Sequence, residues 1–187
     1  MEIRLSKNKL QTLNAEEVAV YTALKMKFDS IKVDKEKAVI VNTTIYELSY
    51  LLSGSYDEIK RKTKDKLLDG LNSLIEKNII ELIDSNIKKD KVNDNTHFAL
   101  NIKNLWINTD KNSDNKENFL TTSDNEIKKI IKIKHKSKLE LLKSALNVLG
   151  TINNNDRAGY SSIATLQNLS GIKSNKTAVE FMKLLEQ

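Results

Sequence analysis

The chain has 187 residues, 39% hydrophobic and 30% charged, with a formal net charge of +6, no cysteine and no proline. That composition supports one large or two small globular domains and excludes a disordered chain, a disulfide framework and a thiolate metal site. No apolar run reaches the roughly 18 residues of a membrane helix, and the opening MEIRLSKNKL lacks the apolar stretch of a secretory signal, so a cytoplasmic protein with no membrane partner is expected.

In chain order, Asn14-Ala-Glu-Glu17 reads as a helix start, with the Asn side chain accepting from a first-turn amide and Glu17 placed for a capping box. Val18, Tyr21, Leu24 and Phe28 then fall on one face at helical spacing. AVIVN, 38–42, is short and β-branched, and predicts a strand. In TTIYELSYLLSG, 43–54, Thr43 or Thr44 caps a helix that buries Ile45, Leu48 and Leu51 and stops near Gly54. Ser55 or Asp57 is expected to cap a longer helix with the apolar line Ile59, Leu67, Leu71, Leu74 and Ile75. Gly70 interrupts that line at a cost of about 1 kcal/mol against alanine, which points to a close packing contact. IIELIDSNI, 79–87, and THFALNI, 96–102, predict a hairpin around the polar turn KKDKVNDN.

NTDKNSDNKEN, 108–118, has no apolar residue and reads as a linker. From Ile127 to Lys138 there is no acid, and lysines stand at 128, 129, 132, 134, 136 and 138 around His135. Ile127, Ile130 and Ile131 gather on one helical face there. A second helix, from Ser137 to Leu149, buries Leu139, Leu142, Leu146 and Leu149, and NNNDRAG, 153–159, reads as a loop. The stretch SSIATLQNLSG, 161–171, then repeats the apolar spacing of 43–54. It is followed by the turn Gly171-Ile-Lys-Ser174 and a helix with Ala178, Phe181, Met182 and Leu185 inward.

The order helix, strand, helix, turn, helix, hairpin over residues 14 to about 107 resembles the winged helix-turn-helix arrangement. IATLQNLSGIKSNKTAVEFMKLLEQ resembles the helix-turn-helix half of bacterial and phage winged-helix regulators, except that the chain stops at Gln187 before a wing; either the wing is absent or the chain is a fragment. Two such units, with KHKSKLELLK opening the second, resemble the tandem winged-helix initiators of plasmid and phage replication. The expected fold is therefore mainly α with small β-hairpins (α+β), in two winged-helix or helix-turn-helix domains, 1–107 and 119–187, joined by the linker 108–118. The resemblance implies sequence-specific binding of double-stranded DNA at repeated origin sites. It also implies a homodimer and host replication proteins as further partners.

In a helix-turn-helix the second helix enters the major groove, with its first residues at base edges and with lysines and helix amides on phosphates. In the first unit the candidates are Tyr56, Lys60, Arg61 and Lys64, with Arg61 suited to the paired acceptors of guanine. In the second they are Lys173, Ser174, Asn175, Lys176 and Thr177, a polar and basic cluster without an acid, in which asparagine suits adenine. Lys128, Lys129 and Lys132 are candidates for backbone phosphates, against the plainer reading of a solvated face. Lys88, Lys89 and Lys91 of the hairpin turn are weaker candidates, being diluted by Asp90 and Asp94.

No catalytic, cofactor or metal site is expected. His97 and His135 have no carboxylates at metal spacing, no Ser-His-Asp grouping is arguable, and GIKSNKT, 171–177, lacks the glycine that a phosphate loop places before Lys-Thr. A transcriptional repressor or a conjugation or partition accessory protein would use the same DNA contacts. A winged-helix module that docks proteins, through a surface including Ile59, Leu67 and Leu71, is the alternative of another class.

Overall fold

The protein is mainly helical with two small antiparallel sheets. The computed structural model describes residues 1–30, 39–55, 60–83, 93, 95–105, 107, 118–151 and 162–185. The elements run β1 (Glu2–Ser6), α1 (Lys7–Thr12), α2 (Ala15–Ser30), β2 (Ile40–Thr43), α3 (Ile45–Ser53), α4 (Arg61–Glu76), β3 (Glu81–Leu82) and β4 (Phe98–Asn101). After a short 3-10 turn, Lys103–Leu105, come β5 (Phe119–Ser123), α5 (Asp124–Lys132), α6 (Lys138–Thr151), α7 (Ile163–Ser170) and α8 (Asn175–Leu185). Among the described residues no helix is long and apolar enough to cross a membrane.

The capping box forms as the sequence predicts. Asn14 Oδ1 accepts from the Glu17 amide at 2.8 Å, and Glu17 Oε2 accepts from the Asn14 amide at 2.9 Å. The helix it opens, α2, differs from expectation in its surroundings. Val18, Tyr21, Leu24 and Phe28 are buried, but so are Ala19, Val20, Ala23 and Met26, together with Thr22 and Lys25. From Val18 to Met26 the helix has no solvent face because α3 and α4 pack on it from one half of the chain and α6 from the other. Lys25 bonds Asp29 at 3.0 Å, one turn on.

In the first half β2 pairs with β4, and β4 with β3 in the register Glu81↔Asn101 and Leu82↔Leu100. The expected hairpin thus has both its strands. The first is shorter than 79–87, however, since Ile79 and Ile80 belong to the turn leaving α4. Most of the turn between the strands, with Lys88, Lys89 and Lys91, lies outside the described residues. Thr44 caps α3 by accepting from the Glu47 amide at 3.0 Å, and Gly54 ends it at φ 72°, a backbone that favours glycine. The side chain fully buried at the far end of α3 is Leu52; Leu51 is partly covered.

Helix α4 begins later than expected. Ser55 is no cap: its amide bonds the Ser53 hydroxyl at 3.2 Å in the bend after Gly54. Lys60, extended at ψ 157°, stands before the first helical residue, Arg61, and gives no side-chain cap. Asp57 and Ile59 lie outside the described residues. Leu67, Leu71 and Leu74 are buried as the apolar spacing requires, each contributing about 1.5–3 kcal/mol against exposure.

The second half repeats part of the first, its strand and helices but, among the described residues, not its three-stranded sheet. Strand β5 leads through a serine cap into α5 as β1 does into α1: Ser6 Oγ accepts from the Lys9 amide at 3.3 Å and Ser123 Oγ from the Glu126 amide at 3.2 Å. These equivalent strands pair antiparallel. Glu2 faces Ser123 and Ser6 faces Phe119, so the first residue of each meets the last of the other, the register a local two-fold relation produces. The match between 43–54 and 161–171 is likewise structural. Helix α7 has Ser162 as its cap, accepting from the Thr165 amide at 3.1 Å, and Gly171 at φ 72° as its stop. Its Ile163, unlike Ile45, is exposed.

A single apolar core runs from Ile3 to Phe181 through both halves. Polar side chains of α6 close the seam: buried Lys143 donates to the Leu13 carbonyl at 2.6 Å, and Asn147 to the Leu10 carbonyl at 3.2 Å. Both groups satisfy carbonyls at the end of α1 that the helix itself leaves open. Of the expected linker, 108–117 lies outside the described residues, while the Asn118 carbonyl accepts from the Lys7 amide at 2.9 Å.

Among the described glycines, Gly70 has the least room for a side chain. A Cβ there would stand 2.5 Å from the Glu16 carbonyl oxygen and 2.6 Å from its carbon. Gly70→Ala is therefore expected to destabilise the protein, because an overpacking cost of about 1–3 kcal/mol outweighs a helix-propensity gain of about 1 kcal/mol. Urea unfolding of the two proteins measures this, and a more stable alanine variant would contradict the packing described.

Candidate functional site

The first unit's exposed basic residues sit at the start of α4, and the rest of α4 is fixed by one polar stripe. Lys66, Gly70, Ser73 and Lys77 follow at spacings of four, three and four, so they share a face, and that face lies on the first turn of α2. Lys77 Nζ donates to the two Glu17 oxygens at 2.7 and 2.9 Å, and the Ser73 hydroxyl also donates to Glu17. Burial opposes ionisation of Glu17, but the bonds from Lys77, Ser73 and the Asn14 backbone outweigh it and hold the carboxyl below its ordinary range. Burial also lowers the pKa of neighbouring Lys143, against the pull of Glu17.

Nearer the start of α4, Lys66 bridges the halves. Its ammonium donates to Glu16 of α2 at 3.0 Å and lies 3.5 Å from Glu140 of α6. The Glu16 hydrogen bond and the two carboxylate charges raise its pKa, against partial desolvation.

Beyond Lys66, the residues Lys60, Arg61 and Lys62 are exposed and have no carboxylate partner among the described residues. The first turn of α4 contains no acid. Lys64 is half-buried, with its ammonium 4.8 Å from the ring centre of Tyr46. Tyr56 lies outside the described residues.

The lysine run after Ile127 is divided by the end of α5. A capping box of Ser123 and Glu126 opens this helix, and Asp124 stands in its first turn. Lys128 bonds that Asp124 at 3.1 Å, and its stem lies against Gly54, so it is drawn into the fold. Lys128 and the chain's amino group together lower the Asp124 pKa to about 2, the amino group's hydrogen bond being the larger cause. Lys129 and Lys132 are exposed on the outer face of α5.

In the second unit, Lys173, Ser174, Asn175 and Lys176 are exposed, and Thr177 is half-buried. Ser174 caps α8 weakly, its hydroxyl 3.4 Å from the Thr177 amide, and Ala178 and Phe181 anchor the helix in the core. The connection from α7 is Gly171 to Ser174, and no acid occurs in the first turn of α8.

The structure also joins residues that the sequence reading kept apart. An open cleft of about 950 Å³ is lined by Lys60, Lys62, Thr63 and Lys66 on one wall, with Lys134, Lys136 and Lys138 among the residues of the other. Its second wall is the α5–α6 connection, held by His135. That ring packs edge-on against Phe181 at 5.1 Å, accepts from the Ser137 amide at 3.0 Å, and has Nε2 3.2 Å from Glu180. The local signal is the acid-free run itself; α5 ends at Lys132, so Lys134 and Lys136 stand on the connection to α6 and not on the helix that carries Lys129 and Lys132.

No protein-family model, curated protein or solved structure matches the chain.

Because the folded Glu17 carboxyl titrates below its unfolded value near ~4.3, its contribution is present above that pH and is lost as pH falls through the folded value. Glu17→Gln should cost about 1–3 kcal/mol at neutral pH, with the difference from wild type narrowing below about pH 4. Unfolding curves across pH check this, and a pH-independent difference would contradict it.

Proposed function

We propose that the protein binds double-stranded DNA at specific sites through two helix-turn-helix units of winged-helix type, and that it initiates plasmid or phage replication at repeated sites. The observation that carries this reading is the second unit. A capped α7, a glycine turn in the left-handed region and an α8 rooted by Phe181 leave Lys173, Ser174, Asn175 and Lys176 exposed together. Helix capping explains Ser174 alone; it leaves the rest of this acid-free group without a structural task.

The chemistry follows from the side chains. Asn175 offers a donor and an acceptor matched to the major-groove edge of adenine, while Ser174 and Thr177 reach either bases or phosphates. Lys173 and Lys176 are point charges for phosphates, aided by the free amides of the α8 start. In the first unit Arg61 is the base reader, with Lys60 on phosphates, and on this reading the β3–β4 hairpin that follows α4 is the wing. Lys129 and Lys132 offer further backbone contacts. Lys128, bonded to Asp124, is left out of this set.

Selection of duplexes from a random library, followed by fluorescence anisotropy at rising salt, tests the reading. A recovered consensus and an affinity that falls steeply with salt are expected; no enrichment and no duplex binding would overturn it. With the selected duplex, Asn175→Ala together with Lys176→Ala should reduce discrimination against random DNA. Lys129→Ala together with Lys132→Ala should weaken both duplexes about equally. The replication role is tested by placing the selected sites on a plasmid with this gene as its sole initiator. Failure to replicate, with binding intact, would leave the repressor reading in its place.

A further inference from the structure

Resting on the DNA reading, we propose that the cleft between the start of α4 and the α5–α6 connection is a phosphodiester-binding site that seats one backbone strand of the duplex between the two reading helices. Its two walls come from opposite halves of the chain, and each presents lysines. Lys60, Lys62, Lys134 and Lys136 are exposed and have no carboxylate partner among the described residues. Lys66, by contrast, is held by Glu16 and Glu140, and Lys138 bonds the Ile131 carbonyl at 2.8 Å. These two brace the floor, and the four outer ammonium groups are left for a ligand.

Like charges facing each other across a gap repel, so the folded protein carries a cost here that an anion removes. The ligand's chemistry follows from the cleft's shape and surroundings. It is open, with lysines on both walls and Glu140, already engaged by Lys66, as the carboxylate of its lining, and it suits a chain of phosphates better than an enclosed small molecule. Its far wall touches α8: His135 meets Glu180 and Phe181, and Lys176 lies one turn before Glu180 on the same face. A basic path therefore leads from the start of α4, across the 134–136 connection, toward the start of α8. In this arrangement the strand between the two contact regions is held directly by the cleft. Contacts of this kind carry affinity and register without reading sequence.

The test uses the whole chain carrying Lys62→Gln, Lys134→Gln and Lys136→Gln together, with circular dichroism and a thermal melt to establish that the fold is kept. Losing three phosphate contacts should make the slope of log affinity against log salt shallower by about 2 to 3. Affinity for the selected and for a random duplex should fall by the same factor. Lys103→Gln, an exposed lysine on the 3-10 turn outside the cleft, serves as the control and should leave the slope unchanged. If wild type binds DNA and the triple variant keeps its slope, or loses affinity for the selected duplex alone, the cleft proposal is overturned while the DNA reading stands. If wild type binds no duplex, both fall.

Discussion

The rest of the structure depends on the contact between α4 and the first turn of α2. Gly70 lets the two backbones meet where a Cβ would stand 2.5 Å from the Glu16 carbonyl oxygen. On either side of that contact the polar stripe is fixed by carboxylates, Lys66 by Glu16 and Ser73 with Lys77 by Glu17. The apolar residues Leu67, Leu71 and Leu74 would pack on many partners, because hydrophobic burial is not directional. The stripe selects one placement, since any slip leaves buried Glu17 without its donors. The direction in which Lys60, Arg61 and Lys62 project is a consequence of that seam.

The same seam joins the halves. Glu140 of α6 reaches Lys66, Lys143 reaches the Leu13 carbonyl, and β1 pairs with β5. Three basic segments are thereby carried on one packed body: the start of α4, the α5–α6 connection and the start of α8. A linker-tethered pair of binding units would lose orientational freedom when both engaged one ligand, and a pre-assembled pair has already met that cost in folding. Within the proposed function, the continuous core thus bears on affinity as well as stability.

Much of this was legible in the residues. Asn14-Ala-Glu-Glu17, the left-handed glycines at 54 and 171, and the odd placement of Gly70 each announce a local geometry, because few residue types satisfy it. The mainly helical fold with small sheets followed from apolar spacing. What was not legible is what depends on distant partners. MEIRLS carries too short an alternation to reveal that it pairs with FLTTS more than a hundred residues away. The burial of α2 on every side from Glu17 to Met26 depends on α6 arriving from the other half. Ahead of α4 stands a serine-bonded bend after Gly54, which propensity does not report. Of the candidate site, the second unit's exposed cluster was visible as composition, whereas the facing of Lys62 and Lys134 across a cleft required the packing of both halves.

Amide hydrogen exchange of the whole chain, free and with a saturating duplex recovered by selection, tests most directly that both halves engage one DNA. Slowed exchange at the start of α4, at residues 134–137 and at the start of α8, all at one duplex per DNA-bound chain, is the predicted result. Protection confined to one half, or no protection at any of the three, would contradict the account.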